Sequence, residues 1–310
     1  MEHHNNAKFA FFYMLSLVAL VFMAISTGMI IFQIINKTVT DMINFAGSYN
    51  SGILKFAISA IIIATPIYYV TMRQINKNLR SGILNKDSGV RKWLTHLILF
   101  VVSVVVIGWL IATINMFLNG EITLKFILKL ITVIGISAVI FTYYLYDIKR
   151  ESVNKKDKIT SIYFYLSLLL IIASFVTALF FVESPAQARD RKHDDMILSD
   201  FDRIDSAIND YYRINKELPS ALDILVDENK YYLETENLSN QITEEVYNYE
   251  IIKDNDYHLC ATFKASTKEK SKDLDMRYQY NGHWAHEAGY QCLEQTIVDF
   301  STSELPVRVK

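Results

Sequence analysis

Long apolar stretches separated by short polar segments dominate the first 182 residues of the chain. A helix rises about 1.5 Å per residue, so about 20 apolar residues cross the hydrocarbon core of a membrane. Five stretches have 18 or more residues: 9–35, 53–70, 94–118, 122–146 and 159–182. The pattern predicts five transmembrane helices rather than the buried helices of a large soluble protein, since little polar sequence is available to cover them.

The pattern changes after residue 182 to that of a small α+β domain. Apolar residues recur at helical spacing over roughly 194–215, namely at Ile197, Phe201, Ile204, Ile208 and Tyr211. Ser220 is predicted to cap a short second helix. Strand patterns follow at 246–252, 257–263 and 276–280, and the first two flank a four-residue turn. The predicted fold is an α-helical polytopic membrane domain plus a small extracytoplasmic α+β domain, with one long helix on an antiparallel meander.

This organisation predicts four segments. They are a four-helix transmembrane domain (1–150), a fifth transmembrane helix (151–182), a juxtamembrane linker (183–193) and an extracytoplasmic α+β domain (194–310).

Charge divides the chain at the same place. Residues 1–182 contain 16 Lys/Arg and 7 Asp/Glu, whereas residues 183–310 contain 15 Lys/Arg and 26 Asp/Glu. The formal net charge of −2 therefore combines a basic half with an acidic half. This excludes a single soluble globule and a nucleic-acid binder with one basic face.

Basic residues mark alternate connections between the predicted spans. Ten of them are predicted to determine the topology: Arg73, Lys77, Arg80, Arg91, Lys92, Lys149, Arg150, Lys155, Lys156 and Lys158. The connections at 36–52 and 119–121 are poor in cations. The positive-inside rule then predicts a cytoplasmic N-terminus and an extracytoplasmic segment after residue 182.

Few polar side chains fall inside the spans, where such residues usually indicate a transport path. Lys129 and Asn115 are the candidates nearest the midplane. Glu121 and Lys125 share a helix face with Lys129 at i+4 spacing. The three residues either bind an anion near the outer leaflet, or Glu121 pairs with Lys125 while both lysines extend outward to the interface.

Cys260 and Cys292 are the only cysteines, and both follow the last predicted span. An oxidising compartment favours a disulfide between them. A zinc site that includes His258, His283 and His286 is an alternative, although no Cys-x-x-Cys motif occurs. Free thiols are the third possibility. We expect no catalytic residues, no cofactor and no bound metal.

Three segments of the membrane half carry a family resemblance: SGVRKWL at 88–94, FLNGEITLKF at 117–126 and YYLYD at 143–147. Together they resemble the bacterial membrane family called domain of unknown function 5671, over roughly residues 9–150. The resemblance implies a location in the bacterial plasma membrane and no particular chemistry. Trp109 stands where an acidic residue is expected in many members.

Two further segments, DSAINDYY at 205–212 and ELPSAL at 217–222, are similar to the helix and following turn of type II secretion pseudopilins and type IV pilins. This resemblance covers about residues 190–295. The segment 247–249 resembles the first sheet strand of those proteins, and the Cys260–Cys292 pair resembles a pilin disulfide. The resemblance implies a pilin-like domain.

These observations predict a non-enzymatic, multi-pass protein of the bacterial cell envelope. It would display a pilin-like domain for protein–protein contact at the surface, in association with pilus or secretion-like machinery. The expected partners are the lipid bilayer and other envelope proteins, and no nucleic acid. The alternative is a small-solute or ion transporter with an accessory outer domain.

Overall fold

A computed structural model describes residues 2–39, 47–83, 88–150, 157–226, 230–267 and 284–297. The chain divides into two compact units, Met1–Val182 and Glu183–Lys310. We call them the membrane unit and the C-terminal unit.

The membrane unit consists of five helices: α1 (Glu2–Thr38), α2 (Ser51–Arg80), α3 (Gly89–Leu118), α4 (Leu124–Lys149) and α5 (Lys158–Phe181). All five are long and apolar enough to cross a membrane, which confirms the predicted helices. The side chains of Asn50, Ser88, Thr123 and Asp157 accept backbone hydrogen bonds in the first turns of α2 to α5. Such caps satisfy amide groups that a helix start leaves unpaired, and they fix where each helix begins.

The closest packing in the membrane unit joins α1 to α2. Ile30 on α1 and Leu54 and Ala57 on α2 are fully buried. The small side chain of Ala57 allows the two backbones to approach, as is usual between helices in a membrane. In contrast, α3 and α5 are largely exposed along their apolar lengths, as expected of surfaces that face lipid.

The C-terminal unit begins with α6 (Pro185–Asn215), which starts upstream of the predicted helix at 194. Ser184 and Gln187 form a reciprocal capping box, and Pro185 occupies the first turn. Most of the segment predicted as a linker is therefore helical. The predicted apolar stripe is confirmed, because Ile197, Phe201, Ile204 and Ile208 are at most 1% exposed.

A short 3-10 turn, Leu222–Leu225, replaces the predicted second helix. Its N-cap is Ala221, and no side chain caps the turn, so the prediction that Ser220 is the cap is wrong. Burial of Leu222 and Leu225 in the core holds this turn in place.

The sheet has three described antiparallel strands in the order β1 (Asn248–Ile251), β2 (Asp256–Phe263) and β3 (Gly289–Thr296). The predicted hairpin is confirmed, and Lys253 and Asp256 exchange backbone hydrogen bonds in its turn. The third strand lies at β3, whereas the predicted strand at 276–280 falls outside the described residues. The buried side chains of β2, namely Tyr257, Leu259, Ala261 and Phe263, join the core that contains the α6 stripe.

Candidate functional site

A buried ion pair joins α3 to α4 at the end of the membrane unit that carries most of its cations. Arg91 is 5% exposed. One of its guanidinium nitrogens donates to both the carboxylate and the backbone carbonyl of Asp147, at 2.7 Å each. Segments 88–94 and 143–147, which carry the family resemblance, meet at this contact. The ion pair therefore accounts for the charged residues Arg91 and Asp147 in these two segments. Asp147 is the site residue that sequence reasoning missed.

The same charge network continues to the start of α5. A guanidinium nitrogen of Arg150 lies 3.4 Å from the Asp147 carboxylate, and another donates to the Thr160 hydroxyl at 3.1 Å. Tyr146 donates to Asp157 at 2.7 Å. That hydrogen bond is the main reason why the pKa of Asp157 lies below its ordinary value. The network therefore links α3, α4 and α5 through ion pairs and hydrogen bonds.

Beside the ion pair lies a cavity of about 20 Å³, bordered by Tyr13, Ser16, Arg91 and Asp147. This volume holds about one water molecule. The buried Tyr13 hydroxyl has no hydrogen-bond partner in the described part of the chain. The cavity is thus polar on the side of α1, and it is too small for a larger ligand.

Two lysines on α4 lie at the opposite end of the membrane unit from that network. Lys125 is 3% and Lys129 is 6% exposed, so the outward extension that we considered for them is wrong. The Lys125 ammonium lies 3.5 Å from the Gly47 carbonyl oxygen. The Lys129 ammonium lies 5.5 Å from the ring centroid of Phe32, within the range of a cation–π contact.

The structure does not bring the two intramembrane candidates onto one buried path. Asn115 is exposed on α3, whereas Lys129 is buried on α4. Trp109 on α3 packs edge-on against Phe32 and stacks with Phe126. An aromatic cluster therefore occupies the position where the resemblance led us to expect an acid.

The eight described cations among those predicted to determine topology fall into three groups. Arg91 and Arg150 are part of the ion network, while Arg73, Lys77 and Arg80 lie along the last turns of α2 and line a groove. Lys92, Lys149 and Lys158 are exposed at helix ends, and Lys155 and Lys156 lie outside the described residues.

Cys260 and Cys292 face each other across β2 and β3, and their sulfur atoms are 2.10 Å apart. This geometry supports the predicted disulfide over the zinc alternative. His286 is buried and stacks on Phe263, whereas His258 lies on the other face of β2, paired in register with Glu294. His283 is outside the described residues, among which no group of three or more His, Cys, Asp or Glu is arranged to hold a metal.

Carboxylates on α6 fasten this helix to the rest of the C-terminal unit. Asp194 accepts from the backbone amides of Lys264 and Ala265, at 2.9 and 2.7 Å. Asp200 accepts from Asn237 and Tyr247.

Two more carboxylates farther along α6 reach core aromatic residues. Asp202 accepts from the Trp284 indole N–H, and Asp205 accepts from the Tyr257 hydroxyl. The four acids border the apolar stripe of α6. That position is the signal that could have identified them from sequence.

A buried histidine adds a link between α6 and the segment before β1. The His193 ring lies 3.2 Å from Asp194 through Nδ1 and 2.9 Å from the Asn240 amide nitrogen through Nε2. Because an amide nitrogen only donates, Nε2 accepts and Nδ1 carries the proton. These contacts join α6 to the segment before β1.

Burial shifts the pKa of one carboxyl group and of one histidine in the C-terminal unit. It raises the pKa of Asp200, against the lowering effect of its two hydrogen bonds. It also lowers the pKa of His286, whose Nε2 has no partner among the described residues. Both shifts favour the neutral form, as expected in a low dielectric environment.

The fold and these contacts define a helical, multi-pass membrane protein with a separate α+β unit. Residues 10–144 match the family model described as "Domain of unknown function (DUF5671)", which confirms the resemblance noted for the membrane half. No curated protein and no solved structure matches the chain. The likeness of the C-terminal unit to pilins stays a prediction.

Proposed function

We propose that the protein anchors in the bacterial plasma membrane through its five helices and displays the C-terminal unit outside the cytoplasm. The alternation of basic connections supports a cytoplasmic N-terminus. The cysteine pair at disulfide distance supports an oxidising compartment for the C-terminal unit. The displayed unit is non-enzymatic, pilin-like in its use of a long helix against a meander, and serves to bind another envelope protein.

The observation that carries the proposal is the edge of the sheet at β1. This strand is the first in the described sheet order, and no described strand pairs with Asn248–Ile251 on the side away from β2. Just before the strand, Val246 forms an antiparallel bridge with Ser239, so the open part of the edge is Asn248–Ile251. An open edge presents backbone amides and carbonyls to an incoming extended segment.

Apolar side chains surround this edge. Val246 is 72% exposed and Ile251 is 48% exposed, with Ile242 at 60% in the preceding segment. Single exposed apolar residues are common, but their position beside an open strand edge is typical of a protein contact. Since residues 183–310 carry 15 Lys/Arg against 26 Asp/Glu, the fitting partner is a basic, extended segment of an envelope protein.

Site-specific photo-crosslinking in living cells tests this contact. A photoreactive residue is placed at Val246 or at Ile251 in the full-length protein, with Met196 on α6 as the matched exposed control. We expect adducts from the two edge positions that map within a few residues of each other in one envelope protein. Ile251→Lys should abolish the adduct from position 246, because a charge at an open edge opposes strand pairing. Equal labelling from Met196, or adducts scattered over many proteins, would refute the contact.

The buried lysines favour one second candidate function, a transporter of small anions. Lys125 and Lys129 place two cations on one helix inside an apolar bundle. Flux of radiolabelled chloride or phosphate into proteoliposomes would test it, with Lys129→Met expected to remove the flux and Lys92→Met as the exposed control. Flux equal to that of empty liposomes would exclude transport of these anions.

A further inference from the structure

A groove in the membrane unit opens between α2 and α5 at the end that carries Arg91 and Asp147. Its volume is about 790 Å³, within the range of about 300–1,000 Å³ typical of small-molecule sites. The floor is formed by Leu20 and Met23 of α1 together with Val139 and Ile140 of α4. The groove therefore has an apolar base that lies within the helix bundle.

Aromatic rings form the walls of the groove. Tyr69 packs edge-on against Phe164, at 4.9 Å between ring centroids, and its hydroxyl lies 2.8 Å from the Ser167 hydroxyl. Tyr143 packs edge-on against Tyr163 at 5.6 Å. Tyrosine rings offer an apolar surface with a polar tip, as do the aromatic belts of membrane interfaces.

Cations line the mouth of the groove on one side. Arg73, Lys77 and Arg80 follow each other at i, i+4 and i+7 on α2, so they share one helix face. Thr160 and Ser161 line the opposite wall, at the start of α5, where their hydroxyls donate to the side chain and the backbone carbonyl of Asp157 and keep lone pairs to accept from a ligand. None of the described ion pairs involves these three α2 residues, and none of the described residues that line the groove is acidic.

We propose that this groove binds an anionic phospholipid. The phosphate contacts Arg73, Lys77 and Arg80, the glycerol region reaches Thr160 and Ser161, and an acyl chain lies along the tyrosine walls. Basic pockets between transmembrane helices bind anionic headgroups by the same combination of charge and burial. A whole diacyl lipid exceeds the groove, so its remaining chain continues into the bilayer through the open side.

The charge pattern selects this occupant over a neutral lipid. Three cations facing a pair of hydroxyls are complementary to a headgroup that has a phosphodiester and no ammonium group. Phosphatidylglycerol has such a headgroup. Phosphatidylcholine would place its positive group against the three cations. This inference does not depend on the orientation of the protein or on the protein contact at β1.

Native mass spectrometry of the full-length protein released from nanodiscs tests the proposal. The nanodiscs contain equal amounts of phosphatidylglycerol and phosphatidylcholine in both leaflets, so the orientation of the protein has no effect. We expect retained phosphatidylglycerol to exceed phosphatidylcholine by about tenfold or more. Arg73→Gln with Lys77→Gln and Arg80→Gln should reduce this preference to near unity.

The matched control removes three exposed cations from the same end of the unit, with Lys92→Gln, Lys149→Gln and Lys158→Gln. It should retain the preference, as should the charge-conserving Arg73→Lys with Arg80→Lys. If the glutamine variant does not fold, Ser161→Trp narrows the groove without changing charge and should also lower retention. The proposal would be overturned if the two lipids were retained equally, or if both triple variants lost the preference to the same extent. Displacement of the lipid by millimolar inorganic phosphate would also overturn it, because the ligand would then be a soluble anion.

Discussion

The membrane unit and the C-terminal unit stabilise buried carboxylates in different ways. In the membrane unit, Asp147 lies between two arginines, Arg91 and Arg150. In the C-terminal unit, Asp194 and Asp200 accept hydrogen bonds mainly from neutral donors, including backbone amides and a tyrosine hydroxyl. A carboxylate in an apolar bundle needs an opposite charge, whereas one in the small core of the C-terminal unit is held by hydrogen bonds. These hydrogen bonds offset only part of the cost of burial, since the pKa of Asp200 is still raised.

The largest effect is expected from breaking the Arg91–Asp147 pair. Asp147→Ala removes the carboxylate that pairs with the buried Arg91 guanidinium and should reduce the free energy of unfolding by about 3–5 kcal/mol. Thermal unfolding of the full-length protein in detergent, followed by the circular dichroism of its helices, measures the loss. The double change Arg91→Met with Asp147→Leu should recover most of it, and Lys92→Ala should have little effect. An unchanged transition for Asp147→Ala would show that the pair is not a determinant of stability.

The disulfide gives the next largest effect, and it is confined to the C-terminal unit. Cys260 and Cys292 are 32 residues apart, so their bond stabilises the unit by about 3–4 kcal/mol through loop closure. Changing both to Ser should speed amide hydrogen exchange in β2 and leave exchange in α1 and α2 unchanged. Two alkylatable thiols in the unreduced protein from cells would contradict this prediction.

Removing one carboxylate anchor of α6 should have a smaller effect. Asp194→Ala leaves the amides of Lys264 and Ala265 unpaired at a part-buried site, at a cost of about 2–3 kcal/mol. The rate of amide hydrogen exchange of the segment 257–267 in the full-length protein measures this loss of stability. Asp210→Ala is the control, because the half-exposed Asp210 side chain pairs with the exposed Arg213 on the same helix. Equal exchange in the two variants would mean that the α6 acids do not anchor the sheet.

The smallest effect is a dependence on pH that His286 confers on the C-terminal unit. Its folded-state pKa lies below the ordinary value of 6.5 because of burial. As the pH falls through about 6.5, the unfolded chain takes up the proton first, so stability decreases and then levels off below the folded-state pKa. Asp200, whose pKa is raised in the folded state, increases stability as the pH falls, and it does so at more acid pH than His286.

This pH dependence can be isolated between about pH 7.5 and 5, above the range of the carboxylates. His286→Phe keeps the stacking on Phe263 and should remove the decrease in stability, as measured by hydrogen exchange of β2 at each pH. A decrease that persists in this variant would assign the effect to another group.

Much of the architecture follows from the sequence because hydrophobic periodicity is a local signal. The five apolar helices, the α6 stripe through Phe201 and the hairpin around Lys253 and Asp256 are all predicted by it. The start of α6 at Pro185 was missed because a capping box followed by polar residues carries no apolar period.

The site residues were harder to predict because they depend on contacts between distant segments. Arg91 and Asp147 are 56 residues apart, so no spacing rule relates them. Arg73, Lys77 and Arg80 stand out from the sequence as topology signals, but only the packing of α5 against α2 turns them into one wall of a groove. Outward extension of Lys125 was one of two alternatives from the sequence, and its contact with the Gly47 carbonyl, 78 residues away, could not be read from spacing.

The central claim is that the membrane holds the five helices and leaves the C-terminal unit outside the cytoplasm. Two reporters fused after Lys310 test it most directly: alkaline phosphatase, which is active only outside, and green fluorescent protein, which fluoresces when it folds in the cytoplasm. The account predicts high phosphatase activity and no fluorescence, with the opposite result for fusions ending after Arg80. Fluorescence after Lys310 without phosphatase activity would place the C-terminal unit in the cytoplasm and contradict the account.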